Sequence, residues 1–162
     1  MTQQNAQTQA TQTQIRTYLQ QLVAASARFE RASSATDAAT ALACVGQGLD
    51  RWADAGALLD PDASKTGIAE RKWALAAIAA VVMRTQALSN HRFELSQASR
   101  TWLAQLAQQV IADHTPRRKA SFAHFNNHDY WAAWAIAATG MAIGQQDDID
   151  WADVALRRAL TE

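Results

Sequence analysis

Apolar residues recur at helical spacing along almost the whole chain. Ile15, Leu19, Leu22, Val23 and Phe29 share one face of a first helix. The run Ser33 to Asp37 interrupts it, with Thr36 or Asp37 suited to cap the next. Leu42, Val45, Leu49, Trp52 and Gly56 form the second stripe, which ends near Leu59 before the turn residues Asp60-Pro61-Asp62. A third helix opens at Thr66 or Gly67 and runs to about Ala87. Its stripe is Ile68, Leu75, Ile78 and Val82, with alanine filling most other positions. A helix apolar on nearly every side belongs in the interior.

Ser89-Asn90-His91 breaks the pattern, and Trp102, Leu103, Leu106 and Val110 mark a fourth helix from about Ser96 to His114. Thr115-Pro116 predicts its end. Arg117-Arg118-Lys119 then opens a connection of about ten residues, long for a helix–helix loop. A fifth helix begins near Asn127, where Asn127 fits an N-cap and Asp129 the first turn, and reaches about Ala142. Gly144 and the polar run Gln145 to Asp148 separate a sixth, capped by Asp150. No strand pattern occurs, so the expected fold is all-α, with roughly five to six helices in sequential antiparallel hairpins. Mostly apolar helices alternate with amphipathic ones, as when an inner layer is backed by an outer one. The first residues, MTQQNAQTQATQTQ, carry no apolar stripe. Residues 1–14 are therefore expected to be a disordered Gln/Thr-rich leader, and 15–162 the helical domain.

Composition narrows the chemistry. Lys plus Arg and Asp plus Glu are 15 each, so no global charge recommends nucleic acid or an anionic membrane surface as a partner. No apolar run approaches the ~18 residues of a membrane span. The single cysteine, Cys44, excludes an internal disulfide and lies in an alanine-rich stretch that predicts a buried, inert thiol. His91 and His114 are spread apart, and His124 and His128, though four apart, straddle a helix start where helical geometry would not hold, so no metal and no cofactor is expected.

The informative stretch is FNNHDYWAAWAI, residues 125–136. Amides are poor helix formers, yet two of them stand beside an imidazole where a helix opens. An amide and an uncharged imidazole held at the positive end of a helix dipole are suited to bind an anion such as a carboxylate. Without further information, a cap beside a half-buried histidine explains the same residues.

The block NNHDYWAAWAIAATGMAI resembles the NNHSYWAAW signature of the alginate lyases of polysaccharide lyase family 5. LDRWADAGALL (49–59) and KTGIAERKWALAAIA (65–79), with its Arg71-Lys72-Trp73, resemble the matching upstream segments. The resemblance implies part of an incomplete (α/α) toroid that cuts mannuronate-rich alginate by β-elimination. It implies Asn127 and His128 as catalytic residues that neutralise the sugar carboxylate, with His128 also open to a base role. Asn126, Tyr130 and Trp131 would line a sugar subsite, and Arg71, Lys72 and Trp73 are further substrate-binding candidates. Arg117, Arg118 and Lys119 suit either a solvated loop or a cationic rim for polyuronate.

Several features depart from the family pattern. The family's downstream arginine and tyrosine have no counterpart here, and Asp129 replaces the usual serine with a negative charge. The family's periplasmic signal is absent, which leaves a cytoplasmic location open beside the periplasmic one the resemblance implies. The chain reads as the first half of such a lyase, weak or inactive alone. The alternative is a non-catalytic helical module that binds polyuronate or a protein partner. Apolar surface at Trp134, Met141, Trp151 and Val154 also suggests self-association or a complementing second half.

Overall fold

A computed structural model describes residues 3–119 and 126–159. It contains α1 (Gln3–Glu30), α2 (Ala35–Asp54), α3 (Lys65–Leu88), α4 (Gln97–Lys119), α5 (Asn127–Ile143) and α6 (Gln146–Ala159), with no strand among the described residues. Helices α1, α3 and α5 pack side by side, as do α2 and α4. Sequential partners α1/α2, α3/α4 and α5/α6 also pack together. The result is two layers of antiparallel hairpins, odd helices against even, which is the arrangement of part of an (α/α) toroid.

The layering follows from the side chains. The innermost helices, α3 and α5, carry alanine at many positions, and small residues let helix backbones approach closely. Leu75, Ile78, Ala79, Val82, Ala133, Ala135 and Ile136 are fully excluded from water. Leu103, Leu106 and Val110 of α4 and Val45 and Leu49 of α2 close the core from the other layer. Trp102 is buried with its indole N–H donating to the Ala57 carbonyl at 2.8 Å, which ties α4 to the segment after α2. Trp52 is only partly buried and stacks on Tyr18 of α1, with ring centroids 3.7 Å apart.

The helix ends differ from expectation in four places. First, the Gln/Thr-rich segment set apart as a leader continues α1 back to Gln3. It contains neither Gly nor Pro, Thr11 and Thr13 hydroxyls bond back to the Gln7 and Gln9 carbonyls, and Gln12 bonds Glu70 of α3 at 2.9 Å. Second, Ser34 rather than Thr36 or Asp37 caps α2, because its extended backbone aims its Oγ at the Asp37 amide. Third, Pro116 lies inside the last turn of α4 and does not end it. A proline there removes one ladder donor, the one that would have reached the Ala112 carbonyl, a small loss so near the helix end. Fourth, α6 starts at Gln146, four residues ahead of Asp150, with Asp147 and Asp148 at its positive end.

Three turns among the described residues use positive φ, the one after α2 at Gly56 and Leu58 among them. Gly144, at φ 73°, closes α5 in the left-handed region, and the Gln145 amide returns to the Gly140 carbonyl at 2.8 Å. Asn90 and His91 take positive φ between α3 and α4, where the buried Ser89 hydroxyl receives the Phe93 amide. Cys44 is exposed, contrary to the buried thiol expected. It precedes the stripe residue Val45, ~100° away around the helix, and shares the outer side of α2 with the exposed Ala43.

Among the described residues no helix is long and apolar enough to cross a membrane.

Candidate functional site

The opening of α5 is built by a reciprocal cap. Asn126, not Asn127, is the N-cap: its backbone is extended, at φ −143°, and its Oδ1 accepts from the His128 amide at 2.9 Å. Asp129 answers by accepting from the Asn126 amide at 2.9 Å. The carboxylate of Asp129 is buried by this bond and lies 4.0 Å from the His114 ring. Its charge is therefore turned into the fold and occupied there, away from the exposed side of the helix opening. Asn126 spends its side-chain carbonyl on the cap and so frames the helix opening.

Two consequences follow for the neighbours. Asn127 becomes the first residue of α5 and its side chain is exposed. His128 is half-buried, and its Nδ1 lies 2.6 Å from the Nζ of Lys72 on α3. Trp73 completes the cluster, its ring centroid 6.0 Å from the imidazole and 5.5 Å from the Lys72 nitrogen. The exposed Asn127 side-chain amide, the lysine and the imidazole bring hydrogen-bond donors together at this corner. Trp73 at 37%, Trp131 at 45% and Tyr130 at 50% are exposed enough to offer ring surface to a ligand.

Arg71 does not join them. Its guanidinium is buried and bound on all sides: Nε to the Leu58 carbonyl at 2.8 Å, one terminal nitrogen to the Asp113 carboxylate at 2.8 Å, the other to the Asp60 carbonyl. It clamps the α2–α3 turn to α4, and its guanidinium is turned to those partners. Lys72 is likewise buried, and its nitrogen reaches His128 instead of solvent. One residue separates each of Arg71, Lys72 and Trp73 by ~100° around α3, which is why adjacent residues serve a strut, a histidine and an exposed ring.

His91 lies in the α3–α4 turn and His114 beside Asp129, and neither meets His128 in a metal-ligating group among the described residues. His124 and the side chains of Arg117, Arg118 and Lys119, read as either a solvated loop or a cationic rim, lie outside the described residues. Sequence reading missed the Lys72–His128 contact, since 56 residues separate the two and no local pattern announces it. It also misplaced the cap, although Asn126 and Asp129 stand at capping-box spacing.

The alginate lyase family model matches the chain over residues 1–162. Alginate lyases of Pseudomonas fluorescens strain SBW25 and Cobetia marina are 40% and 37% identical to it over 118 residues, 68% of this chain. That of Azotobacter vinelandii is 36% identical over 115 residues. The chain spans about 30% of the length of each of these relatives. With its two-layered helical hairpins and a match running its full length, the chain belongs to the alginate lyase family.

Proposed function

We propose that this chain supplies the carboxylate-binding part of an alginate lyase acting on mannuronate-rich polyuronate. The observation that carries the reading is the donor cluster at the opening of α5: exposed Asn127, and His128 backed by Lys72 and Trp73. In β-elimination a base removes the C5 proton, the electron pair becomes the C4–C5 double bond, and the C4–O bond breaks as the leaving oxygen gains a proton. The C5 proton is weakly acidic until the adjacent carboxylate is neutralised, so donors aimed at that group lower the barrier. Asn127 and His128 fill that role. Trp131, Tyr130 and Trp73 give the sugar apolar faces to lie against.

The base and the acid for the leaving oxygen are the parts for which this chain has no family-like arginine and tyrosine, and slow or absent turnover by the chain alone is expected. Titration with mannuronate oligomers tests the binding half. Asn127→Asp, isosteric but acidic, should weaken binding about tenfold or more, the worth of one charged hydrogen bond. Equal affinity of wild type and Asn127→Asp would overturn the reading, and rapid formation of ultraviolet-absorbing unsaturated ends by the wild type would overturn the expected need for further residues.

A second reading, a surface for a partner or a complementing half, rests on one face of α5. Tyr130, Trp134 and Met141 are 50%, 44% and 47% exposed there. Sedimentation of the chain across a wide concentration range tests its self-associating form, and a concentration-independent monomer would remove it.

A further inference from the structure

We infer that Lys72 is a positioning residue that sets the proton on His128, fixing the imidazole as a hydrogen-bond donor through Nε2 and denying it the role of base. The contact itself rests on geometry alone; its use toward a sugar carboxylate rests on the proposed polyuronate reading.

The Lys72 nitrogen is 2.6 Å from Nδ1, so one proton lies between them. An ammonium has three N–H donors and no acceptor, and a neutral imidazole has one donor and one acceptor. The Lys72 nitrogen also stands 5.5 Å from the Trp73 ring centroid, within the range where an aromatic face favours a cation. An ammonium therefore donates to Nδ1, and the ring's own proton is left on Nε2. The histidine is held from two directions, since its backbone amide is bound to Asn126 Oδ1. Lys72 is 2% exposed and sits on α3, so the hold comes from the core and not from a mobile surface chain.

The consequence is a division of labour. With its proton on Nε2, His128 offers that N–H to an anion and has no lone pair there to accept the C5 proton. The base for elimination must then be another group. The reverse arrangement, Nδ1–H donating to a neutral amine, would free Nε2 as a base, and the two are distinguishable by spectroscopy.

The test uses the chain labelled with ¹⁵N-histidine, the His128 ring signals being assigned by their loss in His128→Gln. In the wild type Nδ1 should appear as the unprotonated, hydrogen-bonded nitrogen and Nε2 as the protonated one. In Lys72→Met, which keeps a long apolar stem, the Nδ1 signal should shift to its unbonded position and the Nδ1–H tautomer should become visible; Lys72→Arg should restore the wild-type pattern. A protonated Nδ1 in the wild type, or a His128 spectrum unchanged in Lys72→Met, overturns the inference. The wild-type spectrum decides even if the methionine variant does not fold. Added mannuronate oligomer should perturb Nε2 and bind about tenfold less tightly to Lys72→Met. Absence of oligomer binding to a wild type with the expected tautomer would sink the polyuronate reading and leave the Lys72 assignment standing.

Discussion

Replacing Arg71 by leucine separates a strut from a substrate contact. The arginine side chain is 2% exposed and its partner Asp113 15%, so the pair is largely withdrawn from water. Deleting the guanidinium strands the Asp113 carboxylate and the carbonyls of Leu58 and Asp60 without a donor. Breaking a buried pair from one side costs about 3–5 kcal/mol, because the remaining charge stays desolvated. The two carbonyls add to this only as far as water cannot reach them after the α2–α3 turn loosens. A domain of this size has roughly 5–15 kcal/mol of total stability, so Arg71→Leu is expected to fold marginally or not at all near room temperature. Urea unfolding followed by circular dichroism measures the loss, and Arg71→Lys, which keeps the charge but not the fork, should recover only part of it. Asp113→Asn should cost less than Arg71→Leu, since an amide still accepts the hydrogen bond. An Arg71→Leu chain within ~1 kcal/mol of wild type, yet with weakened oligouronate binding, would refute the reasoning and return Arg71 to the cleft.

Three further outcomes are expected. Gly140→Ala should lower stability by about 1–3 kcal/mol in thermal unfolding, because its new methyl would stand 2.8 Å from the Gln145 carbonyl and 2.9 Å from the Ile149 side chain; an unchanged midpoint would mean that α5 and α6 part easily. Burial, with a smaller push from Asp147, holds the Asp148 carboxyl above the ordinary carboxylate range, and among the described residues Gln108 alone reaches one of its side-chain oxygens, at 3.3 Å. The folded state thus holds that proton more tightly than the unfolded chain, so this group's contribution falls as pH rises from the ordinary carboxylate range to the raised folded value and is flat above it. Asp148→Asn should remove that slope and stabilise the protein near neutral pH, and a wild type whose stability advantage over Asp148→Asn grows from about pH 4 to about pH 8 would contradict this. Asn126→Ala should cost about 1 kcal/mol through the lost cap and broaden the His128 resonances by freeing its backbone amide; sharp, unshifted His128 signals would show that the cap does not hold the site.

Periodicity alone carried the helices, their antiparallel order and the interior place of α3. These depend on which faces are apolar, a property each segment displays by itself. The residues proposed for the site, Asn127, His128 and Trp73, also stand out locally, as two amides and an imidazole at a helix opening and an aromatic beside a basic pair. Helix ends were harder to read. Ser34 against Thr36, Asn126 against Asn127, and the passage of α4 through Pro116 turn on backbone angles and single hydrogen bonds that a one-residue shift of register exchanges.

The adjacent pair Arg71 and Lys72 marks the division most sharply. From sequence they are two similar cations on one helix, and nothing in their spacing distinguishes a clamp from a ligand for histidine. Their roles were decided by what α3 packs against: α4 brings Asp113 to one side of the helix, and α5 brings His128 to another. Helical rotation then sends each long side chain to a different neighbour. Helix formation and burial are written in short windows of sequence, whereas the partner of a buried charge is a residue 40 or more positions away that only the assembled layers deliver.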